Sequence, residues 1–397
     1  MLISTEMIDW FESELSLIQS RGKRDDLVEL KKLTVIIPTY GRQSYLLRQV
    51  LYWADSSVTL IIVDGSEFPC TQLEQLKISG GLSFQYIHCP KSFPHRLSLA
   101  GTMIRTPFAV LLGDDEFHLK SGLISALESL VSDRSLSGCI GQSMGFSLND
   151  NALRLGSGYP HSHYRVMEDK IADRLNKAMV KYNAATCYAV LTKTTWVSSW
   201  GDLHACSSPY AEEIQQALAT YIAGKFSSVQ TVYWMRSYDE PVVSILGEYD
   251  RTLSFSSWWK GKAYRLETEK FVTHLAGKVL AAGGVESLIH ARDILNDAIE
   301  IYITGIEQRN SDSLLRHLFR KTAGLIRQNF NFKFIAQLNS WLSRSASSSL
   351  GYDHLLNFGS IAELQLSVVK DDFKITEVLI NELEEIQMLV VEHSKRR

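Results

Sequence analysis

The sequence predicts an α/β fold, in which a mostly parallel, mixed sheet has helices on both faces and is followed by an α-helical domain. Two patterns predict it. Between residues 33 and 132, short apolar runs rich in β-branched residues alternate with stretches of helical spacing, which is typical of a parallel sheet with crossover helices. After about residue 250, long helical periodicity replaces the strand pattern. We therefore predict an N-terminal helix over residues 1–32, an α/β domain over 33–250 and an α-helical domain over 251–397.

Composition excludes several classes of protein. The 397 residues are 45% hydrophobic and 21% charged, which suffices for a large buried core. A net charge of −3 gives no reason to expect a nucleic-acid partner. The five cysteines lie far apart, which predicts reduced thiols and a cytoplasmic location rather than a zinc module. Acidic residues near the N-terminus argue against a signal peptide, and no apolar run reaches the roughly 18 residues of a spanning helix.

The individual elements of the α/β part follow from periodicity. An apolar stripe over residues 5–32 predicts a leading helix. Four strands are predicted at Leu33–Pro38, Thr59–Asp64, Phe84–His88 and Phe108–Leu112. Helices are predicted at about residues 43–54, 71–78, 92–104 and 120–132.

Further apolar runs predict that the sheet continues and becomes mixed. The additional strands are Ser137–Phe146, Thr186–Thr192 and Ser228–Trp234, with helices near residues 166–181 and 208–223. Helical patterns then run from Trp258 to about Arg344 and from Ile361 to Glu392, and the serine-rich stretch Ser345–Gly351 predicts a loop between them.

Polar residues follow three of the predicted strands, where open α/β sheets bind their ligands. These segments are Pro38-Thr39-Tyr40-Gly41-Arg42, Asp64-Gly65-Ser66 and Gly113-Asp114-Asp115-Glu116. Adjacent carboxylates raise one another's pKa, and bound Mg²⁺ or Mn²⁺ would relieve this repulsion. Strand alternation favours Asp114 and Glu116 as metal ligands, with Asp115 left for a sugar or ribose hydroxyl. The alternative is an acidic turn that stabilises the N-terminus of the following helix.

The segments TVIIPTYGR, LIIVDGS and TPFAVLLGDDEF, in this order, resemble the start of a glycosyltransferase family 2 enzyme. Members of this family have the GT-A fold, which is Rossmann-like, and the resemblance covers about residues 33–245. It implies that Asp64 contacts the base or ribose and that the triplet Asp114 to Glu116 binds a metal and the donor diphosphate. Glu116 stands where the family usually has Asp. The other implied nucleotide-binding residues are Pro38, Thr39, Tyr40, Arg42, Asp114 and Asp115.

Two arginines are candidates for the diphosphate. In this family the helix before the acidic triplet sends polar residues toward the diphosphate, which implies a role for Arg96. A guanidinium offers phosphate a planar fork of donors; the alternative for Arg96 is a solvent-facing side chain. Arg236, at the end of a predicted strand, is a second candidate, and pairing with a surface acid is its alternative.

The family is generally inverting, so a carboxylate must deprotonate the acceptor hydroxyl. Residues 208–213 have the chemistry of a helix start, with serine as the cap and proline in the first position. The resemblance favours Glu213 as this base, because related sequences carry a Glu about one helix length before a Gly-Lys pair. Glu212 ranks second. The alternative is that both acids only stabilise the helix dipole.

Other polar and aromatic residues are weaker candidates. Asp239 and Glu240 are reserve candidates for the base. The sequence His161-Ser162-His163 indicates a polar loop rather than a metal pair. Trp258-Trp259 predicts core at a domain junction, with stacking on an acceptor sugar as the alternative.

The segment Arg309–Arg344 contains seven basic residues and one acid among regularly spaced apolar residues. Such a basic amphipathic helix can lie on an anionic bilayer, which would suit a lipid-carried acceptor and the inner face of a membrane. The alternative is a helical bundle with its basic face in water.

Together these features predict a metal-assisted, inverting glycosyltransferase that moves a sugar from a nucleotide-sugar donor to a glycan or lipid-linked glycan. One alternative is a sugar nucleotidyltransferase, although that class usually begins with a glycine-rich basic loop where this chain has residues 38–42. The other is a catalytically inactive GT-A-like protein that binds glycan or assembles a complex, which Glu116 keeps open.

Overall fold

The computed structural model describes residues 3–79, 84–159, 163–239, 253–283, 285–326, 359–366 and 375–397. Within these residues the chain forms a nine-stranded mixed sheet with flanking helices, followed by further helices. The predicted α/β class is confirmed. The predicted domain boundary at residue 250 lies outside the described residues and stays a prediction.

The first half of the sheet forms from the four predicted strands. They are β1 (Leu33–Thr39), β2 (Thr59–Asp64), β3 (Phe84–His88) and β4 (Phe108–Leu111). All three of their pairings are parallel, and the connecting helices are α2 (Gln43–Trp53), α3 (Thr71–Ser79) and α4 (Phe93–Met103). The central strands are continuous apolar runs because both of their faces are buried: Val35, Ile36 and Ile37 are all 0% exposed.

The order of these strands creates a crevice at one edge of the sheet. The spatial order is β3-β2-β1-β4, so the chain leaves β1 toward β2 on one side and returns to β4 on the other. The carboxyl ends of β1 and β4 therefore meet at a topological switch point, the place where such sheets bind ligands.

The second half of the sheet is antiparallel in part, as predicted. It contains β5 (Phe117–His118), β6 (Leu136–Asn149), β7 (Ala152–Ser157), β8 (Val190–Thr192) and β9 (Lys225–Ser237). Strand β8 runs antiparallel to both β4 and β6, whereas β9 runs parallel to β6. The helices of this half are α5 (Lys120–Ser132), α6 (Ile171–Val180), α7 (Lys193–Ser198) and α8 (Pro209–Ala223).

The predicted strand Thr186–Thr192 is wrong in its first half. Ala184–Tyr188 forms a 3₁₀ helix instead. The side chain of Asn183 caps it by accepting from the backbone N of Ala185 at 3.1 Å, and Thr186 Oγ1 donates to the carbonyl of Asn183 at 2.7 Å. These local hydrogen bonds compete with strand pairing.

The predicted leading helix over residues 5–32 also divides into two elements. Helix α1 (Thr5–Arg21) begins after Ser4, whose side chain accepts from Met7 N, and ends before Gly22. Gly22 has a φ of 77°, a left-handed conformation that glycine adopts without strain and that ends a helix. The remaining residues form a 3₁₀ helix, Asp25–Lys32.

The helical part of the chain contains α9 (Phe255–Lys260), α10 (Arg265–Ala281), α11 (Leu288–Ile326), α12 (Ile361–Leu366) and α13 (Glu377–Arg396). The predicted helical patterns are confirmed where they fall on described residues. The predicted loop Ser345–Gly351 lies outside them. None of the described helices is both long enough and apolar enough to cross a bilayer. Trp258 is 0% exposed, which confirms its assignment to the core.

Helix α13 packs against the sheet-containing part of the chain. Its Glu382 accepts from the backbone N of Ser121 at 3.0 Å, and its Glu385 pairs with Lys120 at 2.8 Å. Leu383 and Ile386 on the same helix are both 0% exposed. The C-terminal helix therefore lies beside α2 and α5, close to the strand ends.

Candidate functional site

The polar segments that follow β1 and β4 meet at the switch point. Thr39 Oγ1 donates to Asp114 Oδ2 at 2.5 Å. Arg42 Nη1 donates to Asp115 Oδ2 at 2.9 Å, and its Nη2 donates to Asp115 Oδ1 at 3.2 Å and to Asp114 Oδ1. One guanidinium thus bridges two carboxylates, and all four of their oxygens accept a hydrogen bond. The sequence predicted that these residues lie together, and the structure brings them into contact.

A residue that sequence reasoning missed binds the backbone of the acidic turn, which comprises Asp114, Asp115 and Glu116. Gln49, 0% exposed on α2, donates through Nε2 to the backbone carbonyls of Asp114, at 3.1 Å, and Glu116, at 2.6 Å. A buried amide facing two strand-end carbonyls satisfies groups that would otherwise lack partners. The only signal in the sequence is a glutamine among the apolar residues of α2.

Burial perturbs the carboxylates of this turn. It raises the pKa of Asp114 to about 6, although the Arg42 guanidinium opposes the shift. Burial and the neighbouring Asp115 raise the pKa of Glu116 to about 8, against the hydrogen bond from Trp234. Burial therefore favours the neutral form of both carboxyl groups.

Glu116 faces an aromatic stack built from distant parts of the chain. Trp234 on β9 donates through Nε1 to Glu116 Oε2 at 3.0 Å. The ring of Tyr188 stacks on that of Trp234, with 4.2 Å between the ring centroids. The ring of Tyr159 also stacks on Trp234, with 5.8 Å between the centroids. The guanidinium of Arg236 lies 5.3 Å from the ring of Tyr159. Sequence reasoning missed the three aromatic residues, because their contact depends on the pairing of β9 and on the 3₁₀ helix before β8.

Arg236 lies within electrostatic reach of the acidic turn. Its positive charge lowers the pKa of Glu116, and it is itself held between the rings of Tyr159 and Tyr238, each 5.3 Å away. Its predicted role at the diphosphate stays a prediction, and its position is compatible with that role.

Asp64, at the end of β2, ties three elements together. It is 0% exposed, and its Oδ1 accepts from the backbone N of Ser66 at 2.9 Å. Its Oδ2 accepts from Tyr86 Oη at 2.7 Å and from Gln43 Nε2 at 2.6 Å. This carboxylate thus fixes β3 and the start of α2 relative to β2. Its predicted contact with a base or ribose is untested.

Arg96 is not a solvent-facing arginine, so that alternative is wrong. The side chain is 1% exposed, and its guanidinium lies 5.9 Å from the ring of Tyr40. It passes directly beneath Gly65, where an added Cβ would lie 1.6 Å from Nη1. Glycine at this position permits the close approach. Arg96 therefore lies beside Tyr40 at the strand ends. Pro38, two positions before Tyr40, is half-buried in β1.

Another buried guanidinium, that of Arg48, interacts electrostatically with Asp114 and Asp115 of the acidic turn. Arg48 on α2 is 3% exposed, and its guanidinium lies between the rings of Tyr45, at 4.7 Å, and Phe117, at 4.8 Å. Its Nε and Nη2 have no hydrogen-bond partner among the described residues. Burial lowers its pKa to about 10. His393 from α13 packs against Tyr45 at 4.7 Å between ring centroids, so the C-terminal helix also supports this cluster.

The two predicted bases lie on the first turns of α8, which begins at Pro209 as predicted. Glu213 is half-buried and accepts from Tyr182 Oη at 2.8 Å. Glu212 is 3% exposed and accepts from the backbone N of Cys206 at 3.1 Å. Glu213 also raises the pKa of the buried Cys187 thiol, next in importance to burial itself.

Since Cys187 directly precedes Tyr188, Glu213 and Glu116 both approach the 3₁₀ helix Ala184–Tyr188. The role of Glu213 as a base stays a prediction. Among the reserve candidates, Asp239 is exposed and accepts from the backbone N of Leu148 at 2.5 Å. Glu240 lies outside the described residues.

The remaining candidates are only partly described. His161 and Ser162 lie outside the described residues, and His163 has a φ of 56°. Trp259 is half-buried and donates through Nε1 to Glu300 at 3.1 Å. The backbone of the basic segment 309–344 is described as helix up to Ile326, and its side chains are outside the description. Membrane contact through this segment stays a prediction.

The carboxylate oxygens of the acidic turn suit a hard divalent cation, but those of Asp114 and Asp115 already accept hydrogen bonds. Carboxylate oxygens are the ligands that Mg²⁺ and Mn²⁺ prefer. Within the described ranges, no three His, Cys, Asp or Glu side chains are grouped as a metal site. Asp114 and Asp115 are occupied by Thr39 and Arg42. A cation at these oxygens would compete with the hydrogen bonds from Arg42 and Thr39.

The sequence matches no protein-family model and no curated protein. Among solved structures, it is similar to S. aureus TarS 1–349, with 16% identity, 70% of this chain and 91% of that chain covered, and a TM-score of 0.40. It is similar to the complex of S. aureus TarS 1–349 with UDP-GlcNAc at 15% identity, with 70% of this chain and 92% of that chain covered and a TM-score of 0.41. It is similar to S. aureus TarS at 17% identity, with 69% of this chain and 55% of that chain covered and a TM-score of 0.38. At these values the likeness assigns no activity to this chain.

Proposed function

We propose that this chain is a glycosyltransferase of the family 2 type, which moves a sugar from a nucleotide-sugar donor to a glycan or lipid-linked glycan. One observation carries the proposal: the residues named from the family resemblance converge at the switch point of the sheet. Thr39, Arg42, Asp114 and Asp115 are joined by direct hydrogen bonds there, and Asp64 ends the neighbouring parallel strand. Ligands of open α/β sheets bind at such a point.

In this proposal the nucleoside lies at the ends of β1 and β2. Tyr40 supplies a half-buried ring, and the Arg96 guanidinium lies 5.9 Å from it. Asp64 orients Gln43 through a hydrogen bond of 2.6 Å. A base or ribose between these groups would find an aromatic face and several polar groups held rigidly by their neighbours.

The diphosphate would lie over the acidic turn, between Arg42 and Arg236. A departing nucleoside diphosphate gains negative charge, and preorganised cations at that point lower the barrier. Asp114, Asp115 and Glu116 would hold Mg²⁺ or Mn²⁺, which when bound supplies Lewis-acid stabilisation of the leaving group. Positive charge from Arg236 already reaches Glu116, which supports a diphosphate position between the two arginines.

The acceptor hydroxyl would be deprotonated by Glu213, with Glu212 as the second choice, in a single displacement that inverts the anomeric carbon. Tyr182 Oη donates to Glu213 Oε1 at 2.8 Å, which holds the carboxylate in one orientation. What supports Glu213 over Glu212 is exposure, because Glu213 is half-buried whereas Glu212 is 3% exposed. A base must reach the proton that it removes.

The test is donor hydrolysis by the purified chain. With Mn²⁺ and the sugar nucleotide that raises its melting temperature most, the protein should slowly release nucleoside diphosphate. Asp114→Asn should lower this rate by about 100-fold or more. Asp169→Asn is the control, since Asp169 has an 89% exposed side chain paired with Lys225, and its rate should be unchanged.

The rival functions give different products in the same assay. A sugar nucleotidyltransferase would release pyrophosphate from a nucleoside triphosphate and a sugar phosphate, and would not hydrolyse the sugar nucleotide. An inactive binding protein would show the melting shift without any release of nucleoside diphosphate. Unchanged hydrolysis in Asp114→Asn would reject the assigned role of the acidic turn.

A further inference from the structure

Arg42 occupies the oxygen atoms that a divalent cation would need. Its Nη1 and Nη2 bind both oxygens of Asp115, its Nη2 also binds Oδ1 of Asp114, and Thr39 fills Oδ2 of Asp114. The arrangement is well enclosed, with side-chain exposures of 12% for Arg42, 1% for Asp114 and 14% for Asp115. Two carboxylates and one guanidinium are thus joined by charge-assisted hydrogen bonds, the strong kind, while Arg42 Nε has no hydrogen-bond partner among the described residues.

Arg48 adds a second positive charge to the same place. It is 3% exposed, its Nε and Nη2 lack hydrogen-bond partners among the described residues, and Asp114 and Asp115 act on it electrostatically. A divalent cation entering this turn would meet the positive charge of both guanidinium groups. Charges of like sign repel strongly where water is excluded, so the cation and Arg42 compete for these carboxylates.

We propose that Arg42 is an exchangeable internal counter-cation, which pairs with Asp114 and Asp115 without nucleotide and moves to the donor diphosphate when donor and divalent cation bind together. The inference rests on the proposed function for the identity of the diphosphate. A diphosphate offers paired oxygens to the same planar fork that now holds the carboxylates. Arg42 directly precedes α2, and further along that helix Gln49 donates to the backbone of the acidic turn.

The exchange makes cation and nucleotide binding cooperative. If nucleotide draws Arg42 away from the carboxylates, nucleotide must strengthen the binding of the cation. By linkage, the cation strengthens the binding of the nucleotide by the same factor. Removing Arg42 would free the carboxylates permanently, and cation binding would then no longer need nucleotide.

The experiment is a titration of the full chain with Mn²⁺ alone, in which free Mn²⁺ is measured by its paramagnetic resonance signal. We expect Arg42→Gln to bind Mn²⁺ about tenfold or more tightly than the unmodified chain, because the cation no longer has to break charge-assisted hydrogen bonds. Arg265→Gln is the control: it removes the same charge from an exposed pair with Glu269, where the two side chains are 82% and 50% exposed. Its Mn²⁺ affinity should not change.

Two further variants locate the effect. Arg42→Gln combined with Asp115→Asn should lose the gained affinity, because a ligand oxygen of full charge is gone. Arg42→Lys, which keeps the charge but not the fork, should fall between the unmodified chain and Arg42→Gln. Circular dichroism melting verifies that the variants fold, and the Lys variant keeps the test decisive should the Gln variant not fold.

Adding UDP, GDP, CDP or ADP separates this inference from the proposed function. The inference predicts that the nucleotide that binds raises the Mn²⁺ affinity of the unmodified chain but barely alters that of Arg42→Gln. Equal Mn²⁺ affinity of the unmodified chain and Arg42→Gln without nucleotide would overturn it, even if donor hydrolysis proceeds. Conversely, a gain in Arg42→Gln that no nucleotide reproduces in the unmodified chain, with no donor hydrolysis, would overturn the transferase assignment and the exchange with it.

Discussion

Two sets of oppositely charged side chains in this molecule have the same chemistry and different surroundings. In the sheet-containing part of the chain, Lys120 is 0% exposed and pairs with Asp55 at 2.9 Å, and Arg42 is 12% exposed against Asp114. On the helical part, Lys260 and Glu307 pair with both side chains 51% exposed. Water screens the second pair and leaves it little net energy. The charges of the first set depend on their partners, because an unpaired buried charge is costly.

The difference bears on the proposed site at the strand ends. Burial raises the pKa of Asp114 and Glu116 there, as it raises that of Glu382 on α13, whereas pairing lowers the pKa of exposed acids such as Glu307. Groups with perturbed pKa values in a crevice are candidates for binding and catalysis. The following predictions sharpen or break this contrast.

The largest expected effect on stability is the loss of a buried ammonium group. Lys120→Ala should lower the free energy of unfolding by about 3 kcal/mol, because it leaves Asp55 and Glu385 with only the more distant Arg24, at 3.9 Å from each. Lys260→Ala, in the exposed pair with Glu307, should cost less than about 1 kcal/mol. Urea unfolding at pH 7 measures both. Equal losses would mean that burial does not distinguish the two regions.

A smaller effect is expected where glycine permits close packing. Gly65→Ala should destabilise the protein by about 2 kcal/mol, since the new Cβ would lie 1.6 Å from Arg96 Nη1 and the buried guanidinium would have to move. Gly277→Ala in α10 is the matched substitution, with no atom within 4 Å of the added Cβ. It should stabilise by up to about 1 kcal/mol through helix propensity. Thermal melting of both variants decides whether Arg96 is as tightly held as its burial indicates.

The smallest effect at neutral pH concerns a histidine that matters only on acidification. Burial, with Arg48 and Arg397 nearby, lowers the pKa of His393 to about 2, so the unfolded chain takes up a proton at this residue from about pH 6.5 downward while the folded chain does not. Stability therefore falls as the pH is lowered below about 6.5, by up to about 1.4 kcal/mol per pH unit for this group. Buried His118, with its pKa lowered to about 4 by burial, acts in the same direction.

His393→Phe keeps a ring against Tyr45 and removes the proton-binding group. We expect its unfolding free energy to fall less steeply between pH 6.5 and 4.5 than that of the unmodified chain. His290→Phe, at an exposed position of α11, should leave the slope unchanged. Parallel slopes for all three proteins would show that His393 binds its proton as readily in the folded state as in the unfolded one.

Much of the first half of the molecule was predictable from the sequence. Runs such as Thr59–Asp64 are apolar throughout because both faces of a central parallel strand are buried, and this pattern is visible without coordinates. The polar residues that end these runs, Thr39, Asp64 and Asp114, could be assigned to one edge because parallel strands share their carboxyl ends. The resemblance to a known family added names for their roles.

The second half was less predictable, because its local signals conflict with its tertiary setting. The Asn183 cap begins a 3₁₀ helix where a strand was predicted, and this helix presents Tyr188 to Trp234 and Glu116. Arg48 and His393 are 345 positions apart in the numbering, yet both pack on Tyr45. No periodicity links residues at that separation.

The sequence by itself determined the class of the sheet, the strands that end in polar residues and the acidic turn that belongs to them, because burial and hydrogen bonding along a single strand leave a local pattern. Only the tertiary structure decided which charges compensate that turn. Whether a carboxylate meets Arg42, Trp234 or water depends on groups brought together from distant segments, and the free energy of a charge depends on its surroundings in space rather than on its neighbours in the chain.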